Sequence, residues 1–399
     1  MLLLLDDTPA PTFDSQFLSG ALPPGLTYTN SSTVRTYFGA DGLLKTAAVN
    51  EPVFEYDPVT RALLGMRWEM EQRTNLCPKS EFPNGILDGG VRGGLITGVS
   101  LPNWLGRFTT GISFGHDGTT TTYIYTGNAI ASTLHTFSVF VKMNDGNAPS
   151  FGSATNDNVA NDFVLVIGSA GAGSPINYKV VNVGGGIYRV SASATTGDTN
   201  LANNGVVKYD SNSSRTFTVT GYQLEVGASA SSYIPTAAAA VIRQPDVLTA
   251  ASISPWYNQS EGTVLFEGIA STPATAQRGL YLFSDGTDNE RIGGYRASTT
   301  QGGALVVDGG VTQADISTLG AISQSATFRH ALAYKLNDVA GAVNGGTVGT
   351  DTSATMPTIT GLKFGQGNTA GTQAYMGYAR RFQYYPKALP TQIQGMSRV

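Results

Sequence analysis

Along most of this chain apolar and polar residues alternate in short runs, and Gly, Asn, Asp, Ser or Pro interrupts each run. A period of two marks a strand with one buried face, so the pattern predicts many short strands joined by tight turns. In residues 135–142, Phe137, Val139 and Val141 share one face while Ser138, Phe140 and Lys142 take the other. Phe328, His330, Leu332 and Tyr334 likewise alternate with Arg329, Ala331, Ala333 and Lys335. Residues 215–226 change phase midway. Phe217, Val219 and Gly221 lead, then Tyr222, Leu224 and Val226 follow on the opposite parity, which predicts a half-buried strand with a local slip. The same reading places strands at 111–114, 119–125, 163–167, 178–183 and 186–194, and again at 263–269, 278–284, 291–295, 304–307, 339–344, 361–365 and 374–384. One short helix is expected within 389–396, with Thr391 as its cap after Pro390.

The predicted fold is all-β: two tandem antiparallel β-sandwich (jelly-roll) domains, residues 75–240 and 250–399, after an irregular N-terminal attachment segment, residues 1–74. Pro9, Pro11, Pro23, Pro24, Pro52 and Pro58 break that segment, leaving strand candidates at 33–38, 43–46 and 54–56. Too little of it is periodic to pack alone, so it is expected to lie on another domain, another subunit or an assembly surface. Between the sandwiches, Gly227 ends a strand, Tyr233-Ile234-Pro235 adds an edge-like piece, and four alanines follow. Pro245 and Pro235 would stiffen such a joint and the alanines would loosen it, so its rigidity is left open.

A length of 399 residues suits two to three domains. Only 13% of residues are charged while Gly totals 49, a balance fitted to turns and short strands. The net charge of −4, without a Lys/Arg cluster, argues against a nucleic-acid or anionic-membrane surface. The opening MLLLLDDTPAP has no basic flank and too short an apolar run for a signal or a spanning helix, so no export signal or membrane insertion is read. A single cysteine, Cys77, excludes an intrachain disulfide framework and fits synthesis in a reducing cytoplasm.

Several segments carry a family likeness: EMEQRTNLCPKSEF at 69–82, FSVFVK at 137–142, GIYRVSASAT at 186–195, GYQLEVGASASSYIPT at 221–236 and RQPDVLT at 243–249. Together they resemble a recurrent minor structural protein of tailed bacteriophages and gene-transfer agents, in which a leader and a carbohydrate-binding-module-like jelly roll form part of a tail fibre, tailspike or head fibre. EGTVLFEGIA at 261–270, FRHALAYKLNDVAGAVNGG at 328–346 and MGYARRFQYYPKALPTQIQGMS at 376–397 resemble a concanavalin A-like, laminin-G-like lectin sandwich. Asn344-Gly345 there supplies the positive φ angles of a tight hairpin turn. The resemblance implies a virion subunit made in the host cytoplasm, a homotrimer joined to other virion proteins at one end and to a host surface glycan at the other. A structural adaptor or decoration protein and a capsule depolymerase are the alternatives.

A sugar site needs aromatic faces flanked by amide and charged hydrogen-bonders. Trp104 with Asn103 and Arg107, Trp256 and Tyr257 with Asn258, and Tyr295 with Arg296 meet that description. Each aromatic is equally a core or inter-domain anchor. For hydrolysis, Glu55 and Asp57 form the sole E-x-D pair; Pro58 follows them and favours a turn, while Glu261 and Glu267 bracket a strand. No catalytic residue and no cofactor is assigned. Asp285, Asp288 and Glu290 offer calcium-type oxygens in a loop that a polar turn explains as well. His116, His135 and His330 lie apart, and the GxSxG of residues 111–115 lacks the helix a nucleophile elbow requires.

Overall fold

The computed structural model describes residues 9–83, 91–153, 161–168, 176–250 and 252–399. The regular structure of the described chain is almost wholly strand, packed as two β-sandwiches. One small helix, Ile393–Met396, follows the last strand. It starts from Gln392 with no side-chain cap, so Thr391 does not fill the role expected of it. Among the described residues no helix is long and apolar enough to cross a membrane.

The central sandwich pairs a six-stranded sheet with a five-stranded one. The first runs Ile176–Gly184, Ile187–Thr195, Leu134–Met143, Phe217–Val226, Phe108–Phe114 and Ile96–Trp104. The second runs Phe151–Ser153, Phe163–Ile167, Asn204–Lys208, Thr122–Tyr125 and Arg92–Gly93. Phe137, Val139 and Val141 point between the sheets with Ile112, Leu165, Val206 and Leu224, and the buried Cys77 packs there too. The phase change in Phe217–Val226 is a β-bulge: Ser138 pairs Gln223 and Phe140 pairs Thr220, so two residues oppose Val139. Gly221 sits in the bulge at φ +66°, where an added Cβ would lie 2.7 Å from the Phe140 ring. Only glycine suits that turn of the backbone.

The terminal sandwich takes strands from both ends of the chain. One sheet runs Gly349–Asp351, Asp338–Val343, Thr327–Lys335, Glu261–Ala270, Met376–Tyr385, Leu63–Glu69 and Phe54–Tyr56, and Phe13–Gln16 pairs the far half of Met376–Tyr385. The facing sheet runs Leu26–Thr29, Val247–Ala250, Gly361–Phe364, Arg278–Ser284, Arg291–Arg296, Gly302–Asp308 and Val311–Ile316. Asn344 and Gly345, at φ +54° and +72°, turn the chain from Asp338–Val343 towards Gly349–Asp351. The core is aromatic: Trp68 stacks on Phe266 at 5.4 Å and meets Phe17, Phe364 and Tyr375 edge-on.

Residues read from the sequence as a leader therefore supply the strands Phe13–Gln16, Leu26–Thr29, Phe54–Tyr56 and Leu63–Glu69 to one sandwich. The hairpin of Thr36–Phe38 and Leu44–Thr46 crosses to the other, where Leu44 joins Trp104, Phe108, Phe140 and Tyr233 in a second apolar cluster. That cluster covers the outer face of the six-stranded sheet, which is why Phe140 is as buried as its neighbours on the opposite parity. The piece Tyr233-Ile234-Pro235 is not a strand. It is a buried loop, held because Asn75 donates to the Ile234 carbonyl at 2.8 Å and Thr236 donates to the Cys77 carbonyl at 2.6 Å.

Candidate functional site

Where the chain passes between sandwiches, Arg73–Asn75 pairs antiparallel with Val241–Arg243, and a buried polar network surrounds this two-stranded neck. Glu69 accepts from the Ser232 hydroxyl at 2.6 Å and its amide at 2.7 Å, and lies 3.1 Å from Arg67 and 3.5 Å from Arg243. Burial opposes its ionisation, but the Arg243 and Arg67 charges and the Ser232 bonds outweigh that and hold its carboxyl far below the usual range. Asp246 accepts from the Tyr28 hydroxyl at 2.5 Å, Asn30 at 2.8 Å and the Glu69 amide at 2.8 Å. Its carboxyl is raised, chiefly by burial. The segments quoted above as 69–82, 221–236 and 243–249 thus meet in one place, and their polar residues bond one another there.

Beside the neck lies a cleft of about 590 Å³. Its central-sandwich wall is the edge strand Ile176–Gly184, with Asn177, Tyr178 and Lys179, backed by Arg189 and Ser191. Its terminal-sandwich wall holds Glu55, Tyr56, Asp57, Arg67 and Tyr378, with Gln324 and Ser325 at one end. Tyr178 is 43% exposed, and its ring is steadied by Phe151 at 5.5 Å. Asn177, at φ +56°, donates to the Ala228 carbonyl at 3.0 Å and so ties the edge strand to the loop of Ala228–Ser231 that lines the same cleft.

The charged groups of the cleft are unevenly satisfied. Arg67 is ion-paired with Glu55 and Glu69 and lies 5.6 Å over the Tyr378 ring, whose hydroxyl donates to Glu55 at 2.9 Å. Asp57 accepts from the Val59 amide at 2.9 Å and the Thr60 amide at 2.7 Å. Burial works against it, yet those bonds keep its carboxyl below the ordinary range. Arg189 donates to the Ser231 carbonyl at 2.7 Å and the Ser138 hydroxyl at 3.0 Å, both neutral. Lys179 is held below the ordinary lysine range, first by the cleft walls crowding it and then by repulsion from Arg189 and Arg67. A groove of this kind offers tyrosine faces, amides, hydroxyls and cations together, the set a pyranose ring calls for.

The sequence-predicted sugar residues do not gather on one surface. Trp104 is 8% exposed and packs into the cluster over the six-stranded sheet, with the Lys142 ammonium 5.9 Å above its ring. Asn103, at φ +52°, forms the turn beside it, and Arg107 bonds Glu81 at 2.6 Å. Trp256 stacks on Phe13 at 4.5 Å and donates to the Ser252 carbonyl; Tyr257 stacks on Phe283 at 5.3 Å. Asn258 donates to the Pro386 carbonyl at 2.9 Å. Tyr295 donates to Asp315 at 2.5 Å, and Arg296 donates to the Ile322 and Thr272 carbonyls, both residues being buried. The polar groups of Arg107, Trp256, Asn258, Tyr295 and Arg296 are spent within the chain, while Asn103 is exposed at its turn.

The calcium-type loop is similarly occupied. Asp285 accepts from the Thr287 amide at 2.8 Å, Asp288 from the Thr369 amide at 2.8 Å, and Glu290 from Gly309 at 2.7 Å and Thr358 at 2.9 Å. The three carboxylates brace separate turns, and among the described residues no group of three or more His, Cys, Asp or Glu side chains is placed to hold a metal ion. Glu261 accepts from the Ala388 amide, and Glu267 is clamped by Arg329 and Arg380. The residues that line the cleft were legible as a strand at 178–183, but nothing in its alternation says that this strand is an edge facing a second sandwich.

No family model matches this chain, and no curated protein matches it. Among solved structures, the CBM40 of the Ruminococcus gnavus IT-sialidase bound to α2,3-sialyllactose aligns over 35% of this chain and 84% of its own, at 15% identity and a TM-score of 0.31. The NanB sialidase of Streptococcus pneumoniae aligns over 35% of this chain and 25% of its own, at 18% identity and 0.31. A heptameric SAP-like pentraxin of Limulus polyphemus covers 34% and 68%, at 15% identity and 0.26. Likenesses this slight say nothing of a ligand.

Proposed function

We propose that this chain is a non-enzymatic subunit of a tailed-phage fibre or spike that binds a host cell-surface polysaccharide in the cleft between its two sandwiches. The observation that carries the reading is the cleft itself, where the exposed face of Tyr178 stands among Asn177, Arg189, Ser191 and Gln324. The virion assignment rests on the resemblance of residues 69–82, 137–142, 186–195, 221–236 and 243–249. A binding role fits the two cleft carboxylates better than hydrolysis does. Glu55 is taken by Arg67 and Tyr378 and Asp57 by backbone amides, so both carboxylates are committed to partners within the chain.

The test is a glycan array and calorimetric titration with the full-length chain, using surface polysaccharides from candidate hosts. Tyr178→Ala is expected to weaken binding about tenfold, the loss of roughly 1–2 kcal/mol typical of a stacked aromatic, with the melting temperature unchanged. Failure of the intact protein to bind any polysaccharide, or equal binding by the variant, overturns the assignment.

A further inference from the structure

Among the described residues, two cations of the cleft have no acidic side chain in ion-pair contact. Lys179 is exposed, and among the described residues it makes no ion pair. Arg189 spends its hydrogen bonds on a carbonyl and a hydroxyl. Glu225, a carboxylate close enough to influence Arg189, instead accepts from Gln223 at 2.8 Å and from Ser231 at 2.8 and 2.7 Å. The carboxylates that line the cleft give no relief, since Glu55 belongs to Arg67 and Asp57 to its own turn. In a protein of net charge −4, a groove with this local surplus of positive charge stands out. Like charges held together in a half-enclosed space are destabilised, and an anion entering between them removes that repulsion.

We infer that the cleft selects an acidic saccharide, with Lys179 and Arg189 receiving the anionic substituent while Tyr178 takes the ring face. This rests on the glycan-binding reading above and narrows its ligand to a chemical class: a sugar carrying a carboxylate, sulfate or phosphate. Arg189 is fixed by two hydrogen bonds and supplies direction, whereas Lys179 on the exposed edge supplies adjustable charge.

The experiment is an array of matched pairs printed with the full-length chain as probe: uronic-acid oligosaccharides against their carboxyl-reduced forms, and sulfated and phosphorylated glycans against the unmodified ones. At least tenfold preference for the acidic member of a pair is expected, falling as salt is raised. Lys179→Gln should abolish that preference while leaving the melting temperature unchanged, and Lys179→Arg should restore it. The pair that binds identifies which anionic group is taken. Binding without preference, or preference that survives Lys179→Gln, overturns the inference and leaves the glycan-binding role intact. Binding to no member of any pair overturns both.

Discussion

The two sandwiches use the same kind of strand but opposite routes through the chain. Every strand of the central one lies between Arg92 and Val226, so its sheets close before the chain moves on. The terminal one draws on Phe13–Gln16, Leu26–Thr29, Phe54–Tyr56 and Leu63–Glu69 and then waits for residues beyond Val247. In effect the central sandwich is inserted into the terminal one. Apart from the excursion of the Thr36–Thr46 hairpin, the chain crosses between them twice, and those two crossings pair with each other at Arg73–Asn75 and Val241–Arg243. A joint of two hydrogen-bonded strands resists bending where one tether of alanines would not, and here the alanines of 237–240 are merely an exposed loop beside the neck.

The sharpest way to break this comparison is to cut the chain. Residues 250–399 alone keep Met376–Tyr385 but lose both strands that pair its outer edge, along with Phe17, Met66 and Trp68 from the core. Losing one large buried aromatic typically costs about 3–5 kcal/mol, a large fraction of a domain's whole stability. That fragment is expected to show no cooperative melt by circular dichroism, whereas residues 72–243 should melt cooperatively at a lowered temperature, having kept the main core but uncovered the Phe108–Phe140 face. A cooperative transition from 250–399 on its own would show that the terminal sandwich does not depend on the N-terminal strands.

A smaller effect is expected at the neck. Replacing Arg243 with Met removes one of the two cations that keep buried Glu69 ionised, and breaking such a buried pair costs about 3–5 kcal/mol. Because the lost contacts tie the neck to the terminal sandwich, the calorimetric trace should divide into two transitions. A single transition shifted downwards would mean instead that the interface elsewhere, through the Leu44 hairpin and Tyr233, carries the coupling.

How much of this was readable in advance follows from the same contrast. Alternation within a strand is local, so the all-β class, many strands of both sandwiches and the bulge at Gly221 could be read from neighbouring residues, whereas Ile96–Trp104, Asn204–Lys208 and Val311–Ile316 were not among the strands expected. Strand order is not local. That Leu63–Glu69 lies beside Met376–Ala379 depends on contacts hundreds of residues apart, and Leu63–Glu69 does not alternate because Met66, Trp68 and Glu69 are all buried, two in the core and one in the neck. The sugar candidates were chosen as aromatics beside polar residues, yet a core aromatic with a bonded neighbour, such as Tyr295 with Asp315, presents the same pattern. Asn177, Lys179 and Arg189 acquire meaning only once a second sandwich stands opposite their edge strand.

The finest distinction concerns acid. His330 sits at the centre of the terminal core, where its Nε2–H donates to the Gly303 carbonyl at 3.0 Å and its Nδ1 accepts from the Tyr281 hydroxyl at 3.2 Å, an arrangement that fixes the neutral ring. Burial lowers its pKa from 6.5 to about 4, with the bond to Gly303 partly opposing. The unfolded chain therefore takes up a proton near pH 6.5 that the folded chain refuses until about pH 4. Stability from this group is complete above pH 6.5 and is lost as pH falls through that interval, by on the order of 3 kcal/mol in all. Glu69 contributes in the same direction, but its stabilisation is present above its unfolded value of 4.5 and is lost only below that, so the two windows separate. His135 of the central sandwich is also lowered by burial, so wild type must be compared with His330→Gln rather than with a neutral reference. Urea midpoints measured from pH 7 to 4.5 should fall steeply for wild type and more shallowly for the variant, with terminal-sandwich tryptophan fluorescence, from Trp68 and Trp256, changing first. Parallel pH profiles for the two proteins would mean that His330 is protonated in the folded state at little cost, and the terminal core would then have to be more open to water than its packing around Tyr281 and Gly294 allows.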